Sequence, residues 1–326
     1  MHPLTAIFAL TLSCALGATQ PKTLTEWSFA KNSAGWGLPC HLGDVRTENG
    51  ALQGRLTNSD PSLRSPQFEI PATPWQRIEV RLKTDCDGQG RFCWTGTTAG
   101  SSDAFPPDHS TPFRVVGDGE WHDYQVFPFW HAEKRIVLLR LNLPAPTAEE
   151  YGKKTFALRW IRIVDIGAPP DAAPRSEWDF TRGLLGWSPF DSGTTAATPP
   201  GLRFANGPFA GSLVSGPLRC SLRDRAWASL EMAVDKGAWG QVMWVASDVS
   251  GMQSVRFPLR PDGKFHRYDL DVSAQPAWRG DALLLGLSPS EEPGATATIR
   301  SLSLATSAQG PPETDRTEPG AGNPNN

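Results

Sequence analysis

Hydrophobic and polar positions alternate along several short stretches of this chain. In QRIEVRLKT (76–84), Ile78, Val80 and Leu82 alternate with Glu79, Arg81 and Lys83. A period of two belongs to a strand with one dry and one wet face. FALRWIRIVDI (156–166) places Phe156, Leu158 and Trp160, then Ile161 and Ile163, in a less regular run, which predicts a strand buried more fully. Turn chemistry separates such runs. VVGDGEWHDYQVF holds Gly-Asp-Gly before Trp121, RPDGKFHRYDLDV holds Pro-Asp-Gly before Phe265, and NGALQGRL and PGLRFANG add hairpin signals. No stretch has a convincing helical period, and the acids Glu149 and Glu150 support at most one helical turn. Many short strands between Gly- and Pro-containing turns predict an all-β chain of sandwich type.

The pattern is written twice. EWSFAKNSAGW (26–36) and EWDFTRGLLGW (177–187) share Glu, Trp, Phe, Gly and Trp, and both Trp27/Trp178 and Trp36/Trp187 lie 151 residues apart. RFCWTG with Trp94 corresponds to QVMWVA with Trp244, and Trp130 precedes RIVLLRLNLP as Trp278 precedes GDALLLGLSP. The closing FALRWIRIVDI corresponds to ATIRSLSLATS, by which point loop deletions have cut the offset to about 141. Two tandem sandwiches are expected, at 23–167 and 175–306, the second a degenerate copy. Between them, 168–174 is a short Pro-rich linker, stiff enough to hold the sandwiches side by side with limited freedom. The polar tail 307–326 is expected to be disordered.

Composition narrows the classes. Among 326 residues there are 31 Gly, 30 Pro and 13 Trp, and the formal net charge is -3 with no basic stripe. Nucleic acid and anionic membrane surfaces are therefore not expected partners. Residues 1–18 carry a short apolar core, Leu4 to Leu16, followed by small residues. That segment reads as a cleaved signal peptide, too short to insert as a membrane span. The expected destination is secreted, periplasmic or cell-surface. Thr11-Leu12-Ser13 is a poor lipobox and argues against a lipid anchor at Cys14. Export permits disulfides among Cys40, Cys86, Cys93 and Cys220. Cys86 and Cys93 flank a turn, which allows either a cross-strand bridge or two independent buried thiols; the spacing is not a zinc pattern.

The order of features in 23–167 resembles a galactose-binding-domain-like jelly roll of the carbohydrate-binding-module type. An opening Trp-x-Phe precedes Gly-Trp, and SDPSLRSPQFEIPA, a strand ending FCW, GDGEWHDYQV, LLRLNLP and a closing LRWIRI follow. In the second copy GPFAGSLVSGPL replaces the Asp-Pro segment, Phe265 replaces Trp121, and Gly286 stands near Arg140. The resemblance implies two jelly rolls and a polysaccharide or glycan partner. It also implies a possible structural calcium near the first and last strands, for which Glu26, Asp165 and Glu177 are the nearby acids. No other cofactor is required.

Trp27, Trp36, Trp121, Trp160, Trp178 and Trp187 occupy framework positions, where burial of an indole is reason enough for the residue. Trp94 and Trp244 end equivalent strands and either stack on a sugar ring or pack between the sheets. Trp130 and Trp278, each ahead of a strand, and Trp239 in the turn KGAWGQ complete the candidates for ligand contact. Catalytic signatures such as Gly-x-Ser-x-Gly or His-Glu-x-x-His are missing, and a hydrolase would have to use the local cluster Asp103, Asp108 and His109. The expected function is thus secreted, non-catalytic carbohydrate binding. The alternative is a cell-envelope structural or adhesion protein whose sandwiches contact envelope proteins.

Overall fold

The computed structural model describes residues 20–98, 105–106, 108–169 and 172–310. The expected signal peptide, Cys14, Asp103, part of the linker and the tail beyond 310 lie outside the described residues. The chain divides into two compact units, the first comprising 20–168 with Val249–Gly251, the second the remainder from Pro169 onward. Each is a β-sandwich.

In the first unit, a six-stranded antiparallel sheet runs Trp121–Val126, Gln76–Thr84, Thr155–Asp165, Ala51–Leu56, Leu42–Glu48, with Lys22–Ser28 also on Thr155–Asp165. The facing five-stranded sheet runs Gly37–Cys40, Ser62–Arg64, Leu138–Asn142, Gly88–Thr95, Ser110–Val115. The second unit has the same strand order. One sheet runs Thr194–Thr198, Gly201–Ala205, Thr296–Ala305, Trp227–Val234, His266–Asp271, and the other Ser188–Pro189, Leu213–Val214, Asp281–Ser288, Trp239–Ala246, Gln253–Pro258. Two single-turn 3-10 helices, Ala148–Glu150 and Phe180–Arg182, are the helical elements among the described residues.

Alternation decides what fills each sandwich. Ile78, Val80 and Leu82 from one sheet meet Phe92, Trp94, Leu139 and Leu141 from the other in a continuous core. Trp27 packs edge-on to Trp36 with centroids 5.5 Å apart, and Trp178 to Trp187 at 5.8 Å. Such T-shaped pairs add about 0.5–1.5 kcal/mol beyond the area they bury.

The irregular hydrophobic run at 156–166 has a local cause. Leu158 pairs with Leu82 but Trp160 pairs with Arg81, so Arg159 is an extra, bulged residue. The bulge moves the inward face from Phe156 and Leu158 to Ile161 and Ile163, and turns Trp160 outward. The second unit has the same device at Arg300, between Ile299 and Ser301. Trp160 is therefore not the core residue expected from the sequence, and neither is Trp121, which is half-buried under the Arg159 guanidinium, 4.6 Å from its ring centre.

Candidate functional site

Four of the five tryptophans singled out for ligand contact face inward. Trp94, Trp130, Trp244 and Trp278 are 0%, 0%, 1% and 8% exposed. They pair edge-to-face, Trp94 with Trp130 at 6.0 Å and Trp244 with Trp278 at 5.0 Å. Trp130 donates its indole N–H to the Gln76 amide oxygen at 2.5 Å, Trp244 to the Ala277 carbonyl at 3.0 Å and Trp278 to the Arg225 carbonyl at 2.6 Å. An indole enclosed in this way has no face left for a sugar, so core packing replaces ring stacking at these positions. Trp239 differs: it is 42% exposed.

The acids named for a structural calcium are Glu26 and Asp165 in the first copy and Glu177 in the second. Glu26 faces Arg162 in register, while Asp165 faces Lys22 farther along and accepts from the Gly167 N–H at 2.8 Å. Glu177 belongs to the other unit, opposite Ser303. Among the described residues no three His, Cys, Asp or Glu side chains converge.

What the strands do assemble lies on the solvent side of the first unit's five-stranded sheet and of its six-stranded counterpart in the second unit, where Cys220–Ser221 adds a strand. In the first unit Leu139 and Leu141 point inward, so Arg140 and Asn142 point out. Arg140 lies in register with Cys93 on one side and Arg64 on the other. Phe105 lies over both guanidiniums, 5.3 Å from Arg64 and 5.1 Å from Arg140. The Arg140 Nε donates to the Asn142 amide oxygen at 3.0 Å, and the Asn142 amide donates to Asp60 at 2.6 Å. Beneath them the Cys93 thiol accepts from Arg140 at 3.6 Å, and burial pushes its pKa up. At the rim, Leu38 is 70% exposed on the edge strand with φ of 48°, a conformation costly for a side chain without a local polar partner.

The same face of the second unit carries other chemistry. Trp239, Gln241 and Met243 point outward from one strand. Arg256 lies over the Trp239 ring at 5.0 Å and pairs with Glu291 at 3.5 Å, while the Gln241 amide donates to Ser254 at 2.7 Å. Gly286 stands opposite Met243, where the first unit has Arg140 opposite Cys93. A Cβ on Gly286 would lie 3.0 Å from the Met243 methyl, so the methionine covers the glycine.

The hydrolase cluster is rearranged. His109 stacks on Trp94, 6.0 Å between centroids, and its Nε2 meets Glu133 at 3.2 Å; Asp108 is exposed and Asp103 lies outside the described residues. A shallow groove of about 330 Å³ crosses the six-stranded sheet of the first unit between Gln53, Arg55, Lys83 and Ala157. Its arginines are already answered, Arg55 by Asp44 and Arg46 by Glu48. Among the described residues no helix is long and apolar enough to cross a membrane.

Arg140, Asn142 and Phe105 were not singled out by the sequence. The alternation Leu139-Arg140-Leu141-Asn142 is the signal that carries the first two; Phe105 in a loop has none.

Solved structures that match parts of this chain include the following. A variant of a family 29 carbohydrate-binding module matches over 37% of this chain and 82% of its own, at 14% identity and a TM-score of 0.29. The second N-terminal cellulose-binding domain of β-1,4-glucanase C from Cellulomonas fimi matches over 47% and 100%, at 13% identity and 0.31. The glycoside hydrolase domain of Endo-D from Streptococcus pneumoniae R6 matches over 76% of this chain and 35% of its own, at 9% identity and 0.25. No protein-family model matches the chain, and no curated protein does.

Proposed function

We propose that this is a secreted, non-catalytic carbohydrate-binding protein made of two copies of one sandwich, each using the solvent side of the sheet that carries Arg140 in the first unit and Trp239 in the second. The reading rests on the Phe105–Arg140–Asn142 constellation: a ring for the C–H face of a sugar, with planar donors and acceptors beside it for hydroxyls. Trp239 above Arg256 supplies a second ring in the other unit. One ring contact and a few hydrogen bonds give affinities from roughly millimolar to tens of micromolar. A paired-carboxylate hydrolase needs two converging acids, and Asp60 is the acid held within this side-chain network.

A second reading, contact with envelope proteins, is favoured in the second unit, where Met243 fills the centre of the face. The test is a polysaccharide panel probed with the full chain, its Phe105→Ala and its Trp239→Ala forms. Binding that falls with either substitution supports the carbohydrate reading. A blank panel removes it and leaves the protein-contact reading.

A further inference from the structure

Several arginines on the sheets of this protein are paired with carboxylates. On the six-stranded sheet of the first unit, Arg77 and Arg162 clamp Glu79 at 2.6 Å each, Arg81 meets Asp123 at 2.9 Å, and Arg46 meets Glu48 at 2.9 Å. In the second unit Arg267 and Arg300 clamp Glu231, and Arg256 meets Glu291. Arg140 is held differently. Its contacts are the Asn142 amide oxygen, the Cys93 sulfur and the Phe105 ring, and it meets no carboxylate among the described residues.

A neighbour adds positive charge. Arg64 stands directly opposite Arg140 on the adjacent strand, and the Phe105 ring lies over both guanidiniums. Arg91 is exposed and stands opposite Asn142, so it occupies the next outward position on the same face. The charges that act on Cys93, at the centre, are those of Arg140, Arg91 and Asp60. Asp60 reaches Arg140 through the neutral Asn142 amide. Arg140 and Arg91 thus share one face with Asp60 in a chain whose formal net charge is -3. Bulk attraction of polyanions is not expected from such a chain, so an anion held here is held by local geometry. The second unit has Gly286 at the position of Arg140 and lacks this feature.

The geometry points to an acidic polysaccharide as the ligand of the first unit, with a carboxylate or sulfate group received by Arg140 and flanked by Arg91, and the sugar carrying it lying against Phe105. Planar, bidentate donation is what a guanidinium offers such oxyanions. This inference rests on the carbohydrate reading and names its substrate class.

The test uses the full chain in titrations against polygalacturonate, a sulfated galactan, carboxyl-reduced polygalacturonate and a neutral glucan, at fixed salt. At least one acidic polymer should bind about ten-fold more tightly than the neutral ones, the size expected for charge-assisted hydrogen bonds. Which of the two binds identifies the oxyanion. Arg140→Gln and the exposed Arg91→Gln should each remove most of that preference, Arg140→Lys should restore part of it, and Arg46→Gln, the same charge change on the other sheet, should leave it intact. Circular dichroism and tryptophan fluorescence confirm that each variant is folded. Binding of both acidic polymers no tighter than that of the neutral ones, or a preference untouched by both glutamine variants, overturns the acidic inference while carbohydrate binding stands. A panel with no binding at all overturns both.

Discussion

Arg81 donates to Asp123 across neighbouring strands at 2.9 Å, and the second unit carries the same cross-strand pair with its charges exchanged, Glu231 accepting from Arg267 at 3.3 Å. Both pairs sit on the solvent side of the six-stranded sheet, next to the bulge that carries Arg159 or Arg300. The position needs opposite charges more than it needs a particular sign. Asp123→Arg should therefore cost about 0.5–1 kcal/mol, because two arginines then face each other, and adding Arg81→Glu should recover most of it. Glu231 is more demanding, since its side chain is 8% exposed and clamped by two arginines. Glu231→Gln leaves both guanidiniums without their charge partner and should cost about 2–4 kcal/mol. Urea midpoints of the three variants check the ordering; equal losses at the exposed and buried positions would contradict it.

The tryptophans sort by the same kind of measurement. Trp94→Ala removes a fully buried indole and its edge-on partner, and should destabilise the first unit by about 3–5 kcal/mol. Trp239→Ala, at an exposed position, should change stability by less than about 0.5 kcal/mol. Its effect should appear in polysaccharide affinity instead, as a loss of about three-fold or more. Calorimetry and binding on the same two variants separate the roles, and a stable, non-binding Trp94→Ala protein would reverse the assignment.

The sequence carried the fold further than the site, for a physical reason. Period-two alternation assigns Ile78, Val80 and Leu82 to the inside, where all three are fully buried. The jump from Leu158 to Ile161 was visible as irregularity, but reading it as a bulge requires the partner register with Leu82 and Arg81. Without that register Trp160 counted as core. Trp94 and Trp244 were ambiguous because an indole suits both a core and a sugar ring, and strand position alone does not choose between them. The five-stranded face was hidden by topology: Arg64, Arg91 and Arg140 are distant in sequence and meet through strand pairing.

Thiol reactivity tests the cysteine environments. All four described cysteines are free, Cys40 exposed and the other three buried. Cys86 belongs to the first unit's core, whereas Cys93 lies on the outer side against Arg140, so the cross-strand bridge the sequence allowed is not formed. Burial raises the pKa of Cys86, Cys93 and Cys220, which keeps them as poorly nucleophilic thiols. Iodoacetamide at neutral pH, followed by peptide mapping, should label Cys40 at least about ten-fold faster than these three. Denaturant should make the rates converge. Rapid labelling of Cys93 in the folded protein would show that the Arg140 network opens.

Acid sensitivity should reside in the two turns that precede the edge strands. Asp118 meets the His122 ring at 2.9 Å, and Asp262 meets His266 at 2.8 Å. The hydrogen bond from His122 is the main cause holding Asp118 below its ordinary pKa, helped by the Glu120 N–H; for Asp262 the Lys264 N–H leads and His266 follows. A carboxylate whose folded pKa is depressed binds fewer protons than its unfolded counterpart just below the ordinary Asp value. Its stabilisation is complete above that value and is lost as pH falls through the lowered folded value. Asp118→Asn should therefore destabilise the first unit at pH 6 by less than about 1 kcal/mol, because both partners see water, and lower its Tm accordingly. The difference from the parent should shrink as pH drops below the ordinary Asp range and vanish beneath the folded value. His122→Gln should flatten the same acid limb while leaving the turn's Glu120 hydrogen bond to Asp118 in place. Thermal melts of the three proteins between pH 2 and pH 7 decide it. A gap between parent and Asp118→Asn that widens on acidification would mean that the aspartate is stabilised in its protonated form, contrary to the direction derived from its His122 bond.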